Sequence, residues 1–113
     1  MIKEHMRDFL IKITDLDDKV IGELEISNMG ANNDFVDIIS YAYHNRRRCA
    51  YKNFPRYKIF PRRTGEQITF IVAVLKIDTL GRKRLVSTMD VGLEEDSSFD
   101  EILDMCYHGC TDN

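Results

Sequence analysis

"LIKITDLDDKVIGELEISNMGANNDFVDIISYAYHN" (residues 10–45) and "VLKIDTLGRKRLVSTMDVGLEEDSSFDEILDMCYHG" (residues 74–109) are two versions of one pattern. Laid over each other without a gap, at an offset of 64, they share eight identities: Lys12/Lys76, Ile13/Ile77, Leu16/Leu80, Lys19/Lys83, Phe35/Phe99, Ile38/Ile102, Tyr43/Tyr107 and His44/His108. Chance gives about two. Similar apolar patterns do not account for the Lys, Tyr and His matches. One position breaks the match: Ile26 falls opposite Asp90, which a bulge or a gap would explain.

Each copy reads as strand, turn, strand, helix. Phe9, Ile11 and Ile13 alternate on one side of a first strand, and Val20, Leu24 and Ile26 on a second, with the turn residues of "DLDD" between them. Asn33 or Asp34 is placed to cap a helix whose apolar residues are Phe35, Ile38, Ile39 and Ala42. In the second copy "QITFIVAVLKIDT" is a strand, "LGRKR" a turn and "LVSTMDV" a strand. A capping box, Ser98-x-x-Glu101, opens a helix with Phe99, Ile102, Leu103 and Cys106 on its apolar face. One ββα unit is too small to bury its own faces. Two together predict an α+β fold of order ββαββα: a four-stranded antiparallel sheet with two helices on one face. The 113 residues form a single domain, with unit 1 at about 2–45, a basic linker at 46–65 and unit 2 at about 66–109.

The strand "FIVAVL" is apolar on both faces. By the 64-residue shift Ala73, Leu75 and Ile77 match the core-facing Phe9, Ile11 and Ile13, so Phe70, Val72 and Val74 are expected to face away from the helices. An apolar outer face points to a subunit contact, and hence to a homodimer.

The linker is the anomaly. "RRRCAYKNFPRYKIFPRR" (46–63) holds eight of the sixteen basic residues and no acidic one, whereas the remaining residues carry eight basic and nineteen acidic groups. A body of −11 thus carries a +8 insert, and such local fields steer charged partners more than the total does. Within the insert Lys-x-Phe-Pro-Arg is written twice, at 52–56 and 58–62. Pro55 and Pro61 fix φ and lack an amide hydrogen, which argues against a continuous helix or a central strand. An extended crossing of twelve residues reaches about 37 Å at about 3.1 Å each. Fully extended, it aligns Lys52, Phe54, Arg56, Lys58, Phe60 and Arg62 on one side. Cations neutralise phosphates and rings stack on bases, which is the composition of a single-stranded nucleic-acid site.

These features predict a small, cytoplasmic, non-enzymatic binding protein. Arg46, Arg47, Arg48, Lys52, Arg56, Lys58, Arg62 and Arg63 are the candidate phosphate contacts, and Tyr51, Phe54, Tyr57 and Phe60 the candidate stacking groups. The partner expected is single-stranded DNA or RNA, or a nucleotide-like ligand. The alternative is a protein–protein inhibitor or adaptor that caps a host protein, of the kind a phage or mobile element encodes. The competing structural reading makes the insert a stiff connector whose charges meet the acidic body.

Other chemistry is weaker. No cofactor motif, Gly-rich phosphate loop, serine elbow or metalloprotease signature is present. "CYHGC" (106–110) offers too few converging ligands for zinc, so Cys106 is expected in the core. The duplicated Tyr43-His44 and Tyr107-His108 pairs read as solvated helix-end residues, with a shared ligand cleft as the sharper alternative. Three cysteines without framework spacing favour a reducing compartment. No signal peptide is read at the start, and no apolar run approaches the roughly 20 residues of a membrane span.

Overall fold

The computed structural model describes residues 6–45, 51–52, 67–94 and 97–111. Strands β1 (Met6–Thr14) and β2 (Val20–Gly30) form a hairpin, followed by helix α1 (Phe35–His44). A two-residue strand, β3 (Tyr51–Lys52), precedes a second hairpin, β4 (Gln67–Ile77) and β5 (Lys83–Glu94), and helix α2 (Phe99–Thr111). The sheet is antiparallel with the order β3-β2-β1-β4-β5. The expected ββαββα fold is therefore present, with one short edge strand added inside the basic insert. Among the described residues no helix is long and apolar enough to cross a membrane.

The two hairpins turn by the same chemistry. The Asp15 carboxylate accepts from the backbone N–H of Asp17 (2.8 Å) and Lys19 (3.0 Å). Asp78 accepts from those of Leu80 and Arg82, both at 2.9 Å. The left-handed position is held by Asp18 (φ 64°) in one turn and Gly81 (φ 82°) in the other. The Asp78 carboxyl sits below its ordinary pKa, first because the Arg82 backbone N–H donates to it, with smaller help from the Leu80 N–H and the Arg82 side chain.

These turn equivalences place the repeats 63 residues apart in the hairpins, not 64. Only the helices keep 64: Ile38, Ile39 and Ala42 are fully buried, as are Ile102, Leu103 and Cys106. The second unit thus gains one residue between its turn and its helix, and β5 has twelve residues where β2 has eleven. This gap removes the mismatch at Ile26, which now answers to Met89: Ile26 is buried in the core and Met89, half-buried, packs against it. It also means that the four identities in the hairpins do not mark equivalent places, while the four in the helices do.

The same residue overturns the expected orientation of the second strand. Side chains alternate along a strand, so a one-residue change of offset exchanges the faces. Phe70, Val72 and Val74 are not on the outer face; all three are fully buried in the core with Phe9, Ile11 and Ile13. Direct pairing agrees, since Ile11 lies opposite Val74 and Ile13 opposite Val72. Lys76 is opposite Phe9 and holds its ammonium 6.0 Å from the ring centre. The outer residues of β4 are Ile71, Ala73, Leu75 and Ile77, each half-buried. Val20 is exposed rather than inward, because a register irregularity between Ile13 and Thr14 brings Ile21 into the core instead.

Candidate functional site

Both helices start on a reciprocal capping box. In α1 the Asp34 carboxylate accepts from the Asp37 N–H (2.9 Å) while Asp37 accepts from the Asp34 N–H (3.1 Å). In α2 the Ser98 hydroxyl accepts from the Glu101 N–H (3.2 Å) and Glu101 accepts from the Ser98 N–H (3.1 Å). Each cap satisfies two N–H groups that have no partner within the helix. Nine residues beyond each cap stands a tyrosine followed by a histidine. The caps therefore set both pairs at the same angle and level of their helices.

The packing of α1 on α2 joins the pairs. The Tyr43 and Tyr107 rings stack with centroids 4.3 Å apart and planes 4° from parallel. His44 meets Tyr107 edge-on at 5.2 Å, and His108 meets Tyr43 edge-on at 5.7 Å. His44 Nε2 and the Tyr107 hydroxyl lie 3.2 Å apart, in hydrogen-bonding contact. His108 Nε2 lies 3.3 Å from the Asp104 carboxylate. Both histidines are exposed, and both tyrosines are half-buried. The solvated position expected for the histidines is correct. Their assembly with the tyrosines into one four-ring cluster is what that reading did not reach; its signal was the duplicated Tyr-His pair. The rings touch each other, so no gap is left between the tyrosines for a third ring. The cluster is a clasp between helices rather than the cleft considered from sequence.

The chain passes from this clasp straight into the basic insert. Asn45 ends α1, its backbone and side-chain N–H groups both donating to the Tyr41 carbonyl, at 2.9 and 3.0 Å. Arg46 follows at once. Arg46, Arg47, Arg48, Phe54, Arg56, Tyr57, Lys58, Phe60, Arg62 and Arg63 lie outside the described residues. Of the candidate contacts Tyr51 and Lys52 are described, as β3: Tyr51 pairs with Leu24 and Lys52 with Glu23 on the edge of the sheet. The extended conformation expected for residues 52–63 holds at Lys52, the one of them that is described.

No family model, curated protein or solved structure matches this chain.

Cys106 takes the core position expected from its counterpart Ala42. It is fully buried, with its sulfur 3.7 Å from that of Met89. Burial, with a smaller contribution from Cys110, pushes its thiol up to about 12. Cys110 is half-buried and its thiol is also raised, chiefly by burial. Both are free thiols. A thiol held protonated is a poor nucleophile and a poor metal ligand, so Cys106 is a packing residue.

Proposed function

We propose that the protein is a non-enzymatic, cytoplasmic binder of single-stranded nucleic acid, and that the 46–63 insert is its contact surface. The observation that carries this reading is the segregation of charge: eight cations and no carboxylate in eighteen residues, on a body of −11. Neutralising phosphates along such a segment releases counterions, which supplies affinity without base readout. Tyr51, Phe54, Tyr57 and Phe60 add stacking, which tolerates any base because every base has a π-face. The pairing of β3 with β2 supports the reading by tying the insert to a rigid sheet edge. A tethered strand loses less entropy on binding than a free tail does. The acidic body then repels polyanion elsewhere and confines it to the insert.

The test is fluorescence anisotropy with labelled single-stranded DNA and RNA at physiological salt. Wild type is compared with a variant in which Arg47, Arg48, Arg56 and Arg62 are alanine. Binding by wild type that the variant loses, with melting unchanged, supports the proposal. Wild type that leaves both polymers free refutes it, and a pull-down would then look for the capped protein of the alternative reading.

A further inference from the structure

With Phe70, Val72 and Val74 in the core, the apolar outer face behind the expected homodimer passes to Ile71, Ala73, Leu75 and Ile77, and the sheet edge supplies a second basis for it. Its two edges are unlike. The β2 edge is partly covered, because β3 pairs with Glu23 and Leu24. The order ends at β5 on the other side, and among the described residues no strand pairs with its outer edge. This strand has twelve residues and no proline, and a single bulge at Val86 is its one irregularity against β4. Long edges offer a row of backbone donors and acceptors to another chain, and proteins usually shorten or interrupt them. An apolar row also runs to this edge on the outer face: Leu10 pairs with Leu75, and Leu75 with Leu85. Leu85, the last of the row, is 57% exposed.

The charges of β5 select the occupant. The strand, "KRLVSTMDVGLE", begins with two cations and ends with Glu94, after which the sequence continues Glu95–Asp96. Read backwards against itself, such a strand is complementary. With Val86 bulged out of the ladder, a two-fold axis through Met89 places Lys83 opposite the partner's Glu94, and Thr88 opposite the partner's Asp90. The same axis keeps the two Asp90 residues from facing each other. A parallel partner would set like charges together, which is unfavourable. We propose that a second copy of this chain pairs antiparallel along β5, giving a two-fold dimer with one continuous sheet. This inference does not depend on nucleic-acid binding, since the edge lies at the opposite end of the sheet from β3.

The test is sedimentation velocity over a concentration series, using the full chain and two charge variants. One is Lys83→Glu with Arg84→Glu; Lys83 and Arg84 are both exposed. The other is Glu94→Lys with Glu95→Lys. Wild type is expected as a dimer. Two-fold symmetry makes each reversed charge count twice, so each variant alone should dissociate at least about tenfold more readily. Mixed in equal amounts, the two variants should recover dimer, because each then meets its complement. That recovery also shows that the variants are folded. A monomeric wild type overturns the proposal, and so does a dimer indifferent to both variants or a mixture that fails to recover.

Discussion

If the ring clasp joins the two repeats energetically, then removing one tyrosine should make the other nearly worthless. The perturbations are Tyr43→Leu, Tyr107→Leu and the double variant, which keep most of the apolar volume and delete the stack. A stacked or edge-on aromatic pair contributes about 0.5–1.5 kcal/mol beyond the area it buries. Here the rings are half-buried and stacked in close contact, so a coupling energy of about 0.5–1 kcal/mol is expected from the double-mutant cycle. Tyr107 also meets His44 through its hydroxyl. Tyr107→Phe, which spares the stack, should cost about 0.5 kcal/mol, the low end for an exposed hydrogen bond. The assay is urea unfolding followed by circular dichroism. For a chain of this length 1 kcal/mol corresponds to about 3–6 °C in melting temperature, so thermal scans can confirm the order. Sites without contact add to within about 0.3–0.5 kcal/mol. Strict additivity of the two leucine variants would therefore refute the clasp.

Other expectations follow from the same geometry. Phe70→Ala should cost about 3–5 kcal/mol, because Phe70 is fully buried; a cost below about 1 kcal/mol in urea unfolding would contradict the face assignment. Asp34→Ala removes one half of a capping box and should lower stability by about 1 kcal/mol, with Asp34→Ser restoring most of it in the same assay. Cys106 should resist thiol reagents in the native protein and react once the chain is unfolded, as read by peptide mass mapping. Its raised pKa also gives a sign for alkaline stability. The folded thiol ionises only near 12, against an ordinary value of 9.0. Its stabilising contribution is therefore full below pH 9 and is lost progressively between 9 and 12. Cys106→Ala should flatten that part of a melting-temperature profile against pH.

Much of this architecture is legible in the sequence because local and tertiary signals agree. Ser98 and Glu101 announce a helix start, and the apolar spacing Phe99, Ile102, Leu103, Cys106 fixes its inner face. The turn aspartates are equally clear, since Asp15 and Asp78 do the same work. The faces of β4 were not legible. A central strand is apolar on both sides, as Leu75 outside and Val74 inside show, so alternation alone does not say which set is inward. The repeat offset does not decide it either, because a single extra residue between turn and helix in the second unit exchanges the faces. The Tyr-His pairs illustrate another limit. Their duplication was visible, but whether two such pairs meet depends on how the helices cross, which is a tertiary property. For the insert the sequence conveys charge and stiffness, and β3 adds the point at which it is tied to the sheet.

The central claim is that the insert binds polyanion through its cations, and the salt dependence of binding measures this most directly. Each phosphate contact on a single strand contributes about −0.7 to the slope of log K against log salt. The insert offers eight cations. If six to eight of them engage, anisotropy titrations across a range of salt concentrations should give a slope of roughly −4 to −6, reduced to roughly −1.5 to −3 when the four arginines are alanine. A slope near zero, or one unchanged in the variant, would contradict the account.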